Sequence, residues 1–157
     1  MTTNYELKTL ADKLQLKLSL TNIIMQGNLH KIKPRKNMNL IINLDDSVQK
    51  NGTHWVCIYK IDNHVCYYDS FAAIPPKTVY TWCKLHHLKL GINSYICQDM
   101  DDDSCGIYCV MFLHYINSHK NIHIYEAANQ YVNLFVSNTI KNKGILMKYK
   151  KLELKSK

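Results

Sequence analysis

The chain is organised around Gln98-Asp-Met-Asp-Asp-Asp-Ser-Cys105-Gly-Ile-Tyr-Cys-Val-Met-Phe-Leu113. Apolar residues from 107 to 113 would lie on nearly every side of a helix, so the pattern predicts a buried helix over 104–118. Ser104 is a favourable N-cap residue and places Cys105 in the first turn. Backbone N–H groups and the helix dipole favour a thiolate there, which is the nucleophilic form of cysteine. Cys105 is therefore a candidate nucleophile, and the alternative is a structural core cysteine.

The composition is typical of one globular domain. Of the 157 residues, 46% are hydrophobic, and no repeat or linker interrupts them, so we expect a single domain over 1–157. No apolar run reaches about 18 residues and no basic-then-apolar segment opens the chain, which predicts neither a membrane helix nor a secretion signal. The cysteines fall within predicted strands and helices, a pattern typical of reduced, intracellular thiols. They are Cys57, Cys66, Cys83, Cys97, Cys105 and Cys109.

Basic residues concentrate in two segments, 30–36 and 141–157, of a chain whose net charge is +8. Residues 141–157 carry seven lysines against Glu153 and are expected to form a basic C-terminal tail. Clustered lysine and arginine displace the counterions of nucleic acids, so both segments are candidate contacts with DNA or another acidic surface. The alternative is simple solvation. Acidic residues gather at 99–103, directly before Cys105, where we expect them to attract a basic substrate or partner.

Hydrophobic periodicity predicts an α+β fold. Two β-branched and aromatic runs joined by Asp62-Asn63-His64 indicate a β-hairpin. Elsewhere, leucines recur at helical spacing. The order of helix, strands, helix, strand and helices favours a mainly antiparallel, sequential sheet packed against helices. The predicted helices are 4–18, 78–90, 104–118 and 125–140, and the predicted strands are 39–44, 54–61, 65–69 and 94–97.

A nucleophilic thiol needs a base, and the base needs a group that orients it. His54 follows the turn-forming residues 51–53 and opens one strand of the predicted hairpin, whereas Asp69 closes the other. Antiparallel pairing would bring these two side chains within cross-strand reach at one end of the hairpin. The sequence predicts that Asp69 orients His54 and that His54 takes the proton of Cys105. The alternative for His54 is an ordinary surface histidine.

Gln98 is a candidate for an oxyanion hole. Acyl transfer develops a negatively charged oxygen that needs preorganised donors, and an amide side chain together with the backbone N–H of the nucleophile can provide them. Gln98 precedes Cys105 by seven residues, on a polar loop that can fold back. Taken alone, the signal is weak, since most glutamines are simply solvated.

Three motifs resemble those of the adenovirus protease (adenain) family and its relatives. They are Gly52-Thr-His-Trp55, Cys66-Tyr-Tyr-Asp-Ser-Phe71, and Gln98 spaced seven before Ser104-Cys-Gly-Ile-Tyr-Cys-Val-Met-Phe-Leu-His114. The resemblance implies a papain-like cysteine protease fold in which the nucleophile begins a buried central helix. It implies that His54 is the base, Asp69 the orienting acid, Cys105 the nucleophile and Gln98 a part of the oxyanion hole. It also implies that Trp55 and Gly106 bind the substrate.

Two features depart from the adenovirus pattern. The orienting acid is Asp69 rather than a glutamate, which resembles the SUMO-specific (Ulp and SENP) branch of the same clan. No cysteine falls at the spacing that would hold an activating peptide by a disulfide. The sequence therefore predicts no required cofactor and leaves a non-covalent peptide or DNA activator open.

The resemblance implies a viral cysteine endopeptidase that cleaves capsid and other structural precursors after small residues, often Gly, during virion maturation. The bias towards Lys, Asn and Ile indicates an AT-rich genome, such as that of a virophage or a related adenovirus-like element. We accordingly expect a monomer in the virion and the host-cell cytoplasm. Its expected partners are capsid precursors, together with DNA through 30–36 and 141–157, and no membrane.

Two other functions stay open at this level. The first is a deSUMOylating or deubiquitinase-like isopeptidase, which would use the same catalytic chemistry. The second is a non-enzymatic, basic DNA-binding or scaffold module whose Cys and His residues are structural. A metal site is not predicted, because no Cys-x2-Cys pair occurs, and neither Cys83 with His86 nor His64 with Cys66 has paired ligand spacing.

Overall fold

Helix α1 (Asn4–Lys13) is the first element of the computed structural model, which describes residues 2–45 and 54–157. Thr3 caps the helix: its hydroxyl accepts the Glu6 N–H at 3.2 Å, and the Glu6 carboxylate accepts the Thr3 N–H at 2.6 Å. The helix ends before its predicted end at residue 18, because Gln15 adopts a left-handed conformation with φ 57°. The leucines that follow, Leu16 and Leu18, are buried all the same.

In the part of the chain that the structure describes, five strands form one sheet in sequence order. They are β1 (Ile23–Met25), β2 (Asn37–Asn43), β3 (Trp55–Ile61), β4 (His64–Tyr68) and β5 (Lys89–Ile92). The three central strands are antiparallel, as predicted, whereas β1 runs parallel to β2 and β5 runs parallel to β4. The sheet is therefore mixed, because both edge strands join it through crossover segments rather than tight turns. With its helices, this sheet confirms the predicted α+β fold class.

The central hairpin follows the prediction closely. The turn Asp62-Asn63 joins β3 to β4, with Asp62 in a left-handed conformation at φ 51°. Cys57 pairs with Tyr68 across the two strands, so the chain before β3 and the chain after β4 lie at the same end of the sheet. The predicted turn at 51–53 lies outside the described residues.

The segment between the hairpin and the central helix differs from the prediction. Helix α2 (Lys77–Leu85) stops short of its predicted end, because His87 takes a φ of 55° and the chain then enters β5. The predicted strand 94–97 is wrong. Its last N–H group, that of Cys97, donates to the Ser70 carbonyl in a loop instead of to a neighbouring strand. A short apolar run does not reveal by itself whether it is a strand.

Two apolar clusters lie on opposite faces of the sheet, and β3 is therefore buried on both sides. Its residues alternate between them: Trp55, Cys57 and Tyr59 join one cluster, and Val56 and Ile58 join the other. Helix α3 (Cys105–Ser118) lies in the first cluster, and its residues from Tyr108 to Leu113 are buried, as the all-round apolar pattern predicted. Helix α2 packs in the second.

The lysine-rich C-terminal segment is helical. Residues 141–157, predicted as a basic tail, include α5 (Asn142–Lys155), whose Leu146 is fully buried. The preceding helix, α4 (Ile124–Val132), is shorter than predicted. The Asn142 side chain accepts a hydrogen bond from the Val136 N–H and donates one to the Val136 carbonyl, which holds a loop there. None of the helices described here has the length and apolar character needed to cross a bilayer.

Candidate active site

Cys105 is the first residue of α3, and it is 7% exposed. The main-chain N–H of Trp55 donates to its Sγ at 3.5 Å. Ser104 occupies the N-cap position, as predicted, but its side chain makes no capping hydrogen bond. The N–H groups of the first turn therefore lack a side-chain cap and, with the helix dipole, favour a negative charge on the sulfur or on an oxygen held beside it.

His54 and Asp69 meet at the end of the hairpin. His54 comes directly before β3 and Asp69 directly after β4, and their Nε2 and Oδ1 atoms are 2.8 Å apart. The same carboxylate oxygen accepts the N–H of Phe71 at 2.8 Å, and the Phe71 ring lies 5.0 Å from the imidazole, centroid to centroid. The antiparallel register thus turns a separation of fifteen residues into a hydrogen bond.

The hydrogen bonds of His54 set its protonation. Burial by itself lowers the pKa of the imidazole, but hydrogen bonds to Asp69 and Cys105, with the charges of both groups, outweigh burial and raise the pKa of His54 to about 9. Because Nε2 contacts Asp69, Nδ1 is the nitrogen left for Cys105. The ring therefore stays protonated near neutral pH beside the Cys105 sulfur.

Gln98 lies at the start of the loop that leads to Cys105, and it is buried. Its Oε1 accepts the Ser70 hydroxyl at 2.5 Å, and its Nε2 donates to the Asp102 carbonyl. Its main-chain N–H also donates to the Ser70 carbonyl at 3.0 Å. The amide is therefore held in one orientation, with its nitrogen directed to the loop before the nucleophile.

Trp55 and Gly106, the two predicted substrate contacts, have structural roles in the same place. The Trp55 indole is buried, and its Nε1 donates to the Thr2 carbonyl at 3.1 Å. A Cβ on Gly106 would lie 2.8 Å from Leu7 Cδ2 and 3.2 Å from Trp55 Cδ1, so close packing of these elements requires glycine. Substrate binding by either residue stays a prediction.

Asn93 supports the site, and this role was not predicted from the sequence. Its Oδ1 accepts the Asp69 N–H at 2.9 Å, and its Nδ2 donates to the Asp69 carbonyl at 2.7 Å. The amide thus holds the main chain of the orienting acid from both sides. A single asparagine in a loop carries no periodic signal, so only the fold could reveal this contact. Ser70 lies within the motif Cys66–Phe71, but its hydrogen bond to Gln98 could not be predicted for the same reason.

The other thiols differ from Cys105 in their surroundings. Cys109, which the sequence predicted as a core residue, is fully buried, and burial raises the pKa of its thiol. Burial also raises the pKa of Cys83 and the pKa of Cys97, each to about 11. Within residues 2–45 and 54–157, no three His, Cys, Asp or Glu side chains are grouped as metal ligands.

Comparisons with known proteins find relatives among structures alone. No protein-family model and no curated protein matches the chain. Its fold is shared with two solved structures. The ASFV pS273R protease matches with a TM-score of 0.55 and 16% identity, over 96% of this chain and 66% of that one. ChlaDub1 from Chlamydia trachomatis matches with a TM-score of 0.54 and 13% identity, over 99% of this chain and 79% of that one. This chain thus spans slightly less than two thirds of the ASFV protease.

Proposed function

We propose that this chain is a cysteine endopeptidase. The proposal depends on one observation: Cys105 at the start of α3 forms a hydrogen bond with His54, and His54 forms a hydrogen bond with the buried Asp69. A thiol with a base and an orienting acid is the arrangement that nucleophilic catalysis requires. The fold shared with the ASFV pS273R protease supports the same conclusion.

Cys105 and His54 carry the chemistry. In acylation, the Cys105 thiolate attacks the peptide carbonyl carbon, and the His54 imidazolium gives its proton to the departing amine as the C–N bond breaks. In deacylation, neutral His54 takes a proton from water, and the resulting hydroxide attacks the thioester. The C–S bond then breaks, the carboxylic acid leaves, and the thiolate and imidazolium are restored.

Two donors face the negative oxygen of each tetrahedral intermediate. The N–H of Cys105, at the start of α3, supplies one. Gln98 supplies the other, because an amide nitrogen carries two hydrogens and one of them is donated to the Asp102 carbonyl. The hydrogen bond from Ser70 to Gln98 Oε1 keeps that amide from flipping.

The substrates we propose are structural-protein precursors of a virus, cleaved after small residues such as Gly during virion maturation. Support comes from the adenain-like motifs around His54, Asp69 and Cys105 and from the fold shared with a protease of ASFV. The virus would be a virophage or a related element, and the enzyme would act in its virion and in the cytoplasm of the host cell. DNA would bind the basic residues of 30–36 and 141–157, and the absence of both binding and a change in rate with duplex DNA at low salt would contradict this.

A Ulp-type isopeptidase is the second candidate, favoured by one feature of the site. The orienting acid is Asp69, as in the SUMO-specific branch, and the fold is shared equally with ChlaDub1. Purified capsid precursors and ubiquitin-like fusion proteins, offered as competing substrates, separate the two candidates. Cleavage of the fusions alone would replace the endopeptidase proposal with this one.

Alkylation with iodoacetamide tests the proposed nucleophile. We expect Cys105 to react at least about 100-fold faster than the other five thiols, and we expect His54→Ala to abolish this difference in rate. Cys105→Ser should keep the fold by circular dichroism and lose at least about 1,000-fold in kcat/KM, since the same imidazole does not ionise an alcohol. Uniformly slow labelling of every thiol would instead support a non-enzymatic module.

A further inference from the structure

Five apolar side chains project from the surface beside the loop that leads to the nucleophile. Tyr95, Ile96 and Met100, between β5 and α3, are 69%, 55% and 91% exposed, and Val136 and Ile140, between α4 and α5, are 44% and 77% exposed. These five residues are called the loop patch below. Single exposed apolar residues are ordinary, whereas several together mark a surface that binds a partner.

The two segments of the loop patch form one surface. A cavity of about 620 Å³ is lined by residues from both, Tyr95 and Val136 among them. The Thr139 hydroxyl donates to Asp99 Oδ2 at 2.9 Å and joins the segments a second time. These contacts hold the patch in shape before anything binds, which lowers the entropic cost of binding.

The main chain connects the loop patch to the candidate active site. Directly after Ile96, the N–H groups of Cys97 and Gln98 donate to the Ser70 carbonyl at 2.8 Å and 3.0 Å. Ser70 follows Asp69, so the patch, the oxyanion residue and the orienting acid belong to one hydrogen-bonded unit. A protein bound at the patch would therefore contact the loop that carries Gln98 and leads to Cys105.

The charges around the loop patch are acidic, in a chain whose net charge is +8. Four aspartates lie on the same loop as Met100, namely Asp99, Asp101, Asp102 and Asp103, and Asp101 and Asp103 are exposed. Lys141 and Lys143 offset only two of these four charges, and Lys143 Nζ lies 3.6 Å from Asp102 and 3.5 Å from Asp103. The apolar surface thus has an acidic border on its active-site side, which suits a basic partner.

We propose that the loop patch docks an apolar surface of the protein substrate that is flanked by lysine or arginine side chains. This inference rests on the proposed peptidase function and adds a contact outside the catalytic residues. Apolar contact provides the area, and the aspartates select against acidic partners, which the rest of this basic chain would otherwise attract.

Binding is tested on Cys105→Ala, which does not turn over. The probes are two fluorescein-labelled amphipathic helical peptides of equal length, with a leucine face flanked either by lysines or by glutamates. We expect the lysine peptide to bind at least about tenfold more tightly than the glutamate peptide, and Tyr95→Ser with Ile96→Ser to weaken binding of the lysine peptide by at least about tenfold. The control pair is Leu85→Ser with Leu20→Ser, since these residues are also exposed.

Turnover provides a second measurement. A fluorogenic peptide with Gly before the cleaved bond is compared with the same peptide extended by the lysine-flanked segment. We expect the extension to lower KM about tenfold in the intact chain but not in the patch variant, while both turn over the unextended peptide equally. Because the binding measurement needs no turnover, an inactive chain would overturn the proposed function alone.

Three outcomes overturn the docking proposal. They are equal binding of the two peptides, lysine-peptide binding that survives in the patch variant, and self-association of the chain that the patch substitutions abolish. The last outcome, measured by sedimentation, would assign the loop patch to a second copy of this chain.

Discussion

His54 is contacted by three groups that determine its chemistry. Asp69 accepts from its Nε2 at 2.8 Å, Cys105 bonds the ring, and Phe71 lies against it. The Asp69 side chain is only 1% exposed, so water screens its charge poorly. The positive charge of the His54 ring therefore depends on this carboxylate.

Asp69→Asn should therefore move the alkaline limit of activity. The pKa of His54, raised from 6.5 to about 9, keeps the ring protonated into the alkaline range, and loss of the carboxylate lowers that pKa. We expect the upper limb of the kcat/KM profile to move to lower pH, and kcat/KM at neutral pH to fall by about 100-fold or more. An unmoved upper limb would contradict this account.

The same substitution has a stability signature. A raised folded-state pKa stabilises the protein fully below the unfolded value, and this contribution disappears as the pH rises through the folded value. The unaltered chain should thus lose unfolding free energy between pH 6.5 and about 9, and Asp69→Asn should lose less over that interval. Urea unfolding at both ends of the interval measures the difference.

Asn93 is a positioning residue, since it acts on catalysis through Asp69. Asn93→Ala removes hydrogen bonds from both main-chain groups of Asp69, which should cost about 1–3 kcal/mol of unfolding free energy. We also expect kcat/KM to fall about tenfold and the alkaline limb to shift as His54 loses its fixed partner. Asn121→Ala, at an exposed position, is the control. Lost stability with an unmoved pH profile would leave Asn93 a purely structural role.

At the level of elements, three segments converge where α3 begins. Leu7 of α1 and the Trp55 indole of β3 both pack against Gly106, the second residue of α3. The Thr2 carbonyl accepts the indole N–H and closes the contact from the N-terminal side. The position of Cys105 is therefore set by packing one residue away, because its main chain moves with that of Gly106.

Gly106→Ala tests this packing, and Gly144→Ala is its matched control. The added methyl group at 106 would lie 2.8 Å from Leu7 Cδ2 in a fully buried site, so we expect a loss of about 1–3 kcal/mol in unfolding free energy. At 144, within α5, nothing lies within 4 Å, so alanine should stabilise the helix by about 0.5–1 kcal/mol. Denaturant unfolding of both variants decides, and equal changes in the two would contradict the close contact.

At the level of the whole molecule, the sheet brings distant parts of the chain into one site. His54 and Asp69 come from one hairpin, Gln98 from a loop pinned to Ser70, and Cys105 from the central helix. Each of these four residues was predicted from its local surroundings, since each lies at the end of a strongly patterned element or in a motif. Their roles in catalysis remain proposals that the experiments above test.

Several elements could not be predicted, because their patterns are ambiguous when read locally. The leucines of 14–18 have helical spacing, yet they are buried in the turn and the irregular segment that follow α1. The seven-lysine segment looks solvated, yet Leu146 and Asn142 anchor it as α5. Strand β5 has only four residues and follows a helix, so its hydrophobic pattern merged with that of α2.

The central helix, the hairpin and the place of the thiol at the helix start could be predicted from the sequence, because hydrophobic periodicity and turn chemistry act over a few residues. The parallel edge strands, the helical C-terminus and the contact of Asn93 with Asp69 are visible in the folded chain alone. These features depend on which surfaces meet, and residues far apart in sequence carry no local sign of that meeting.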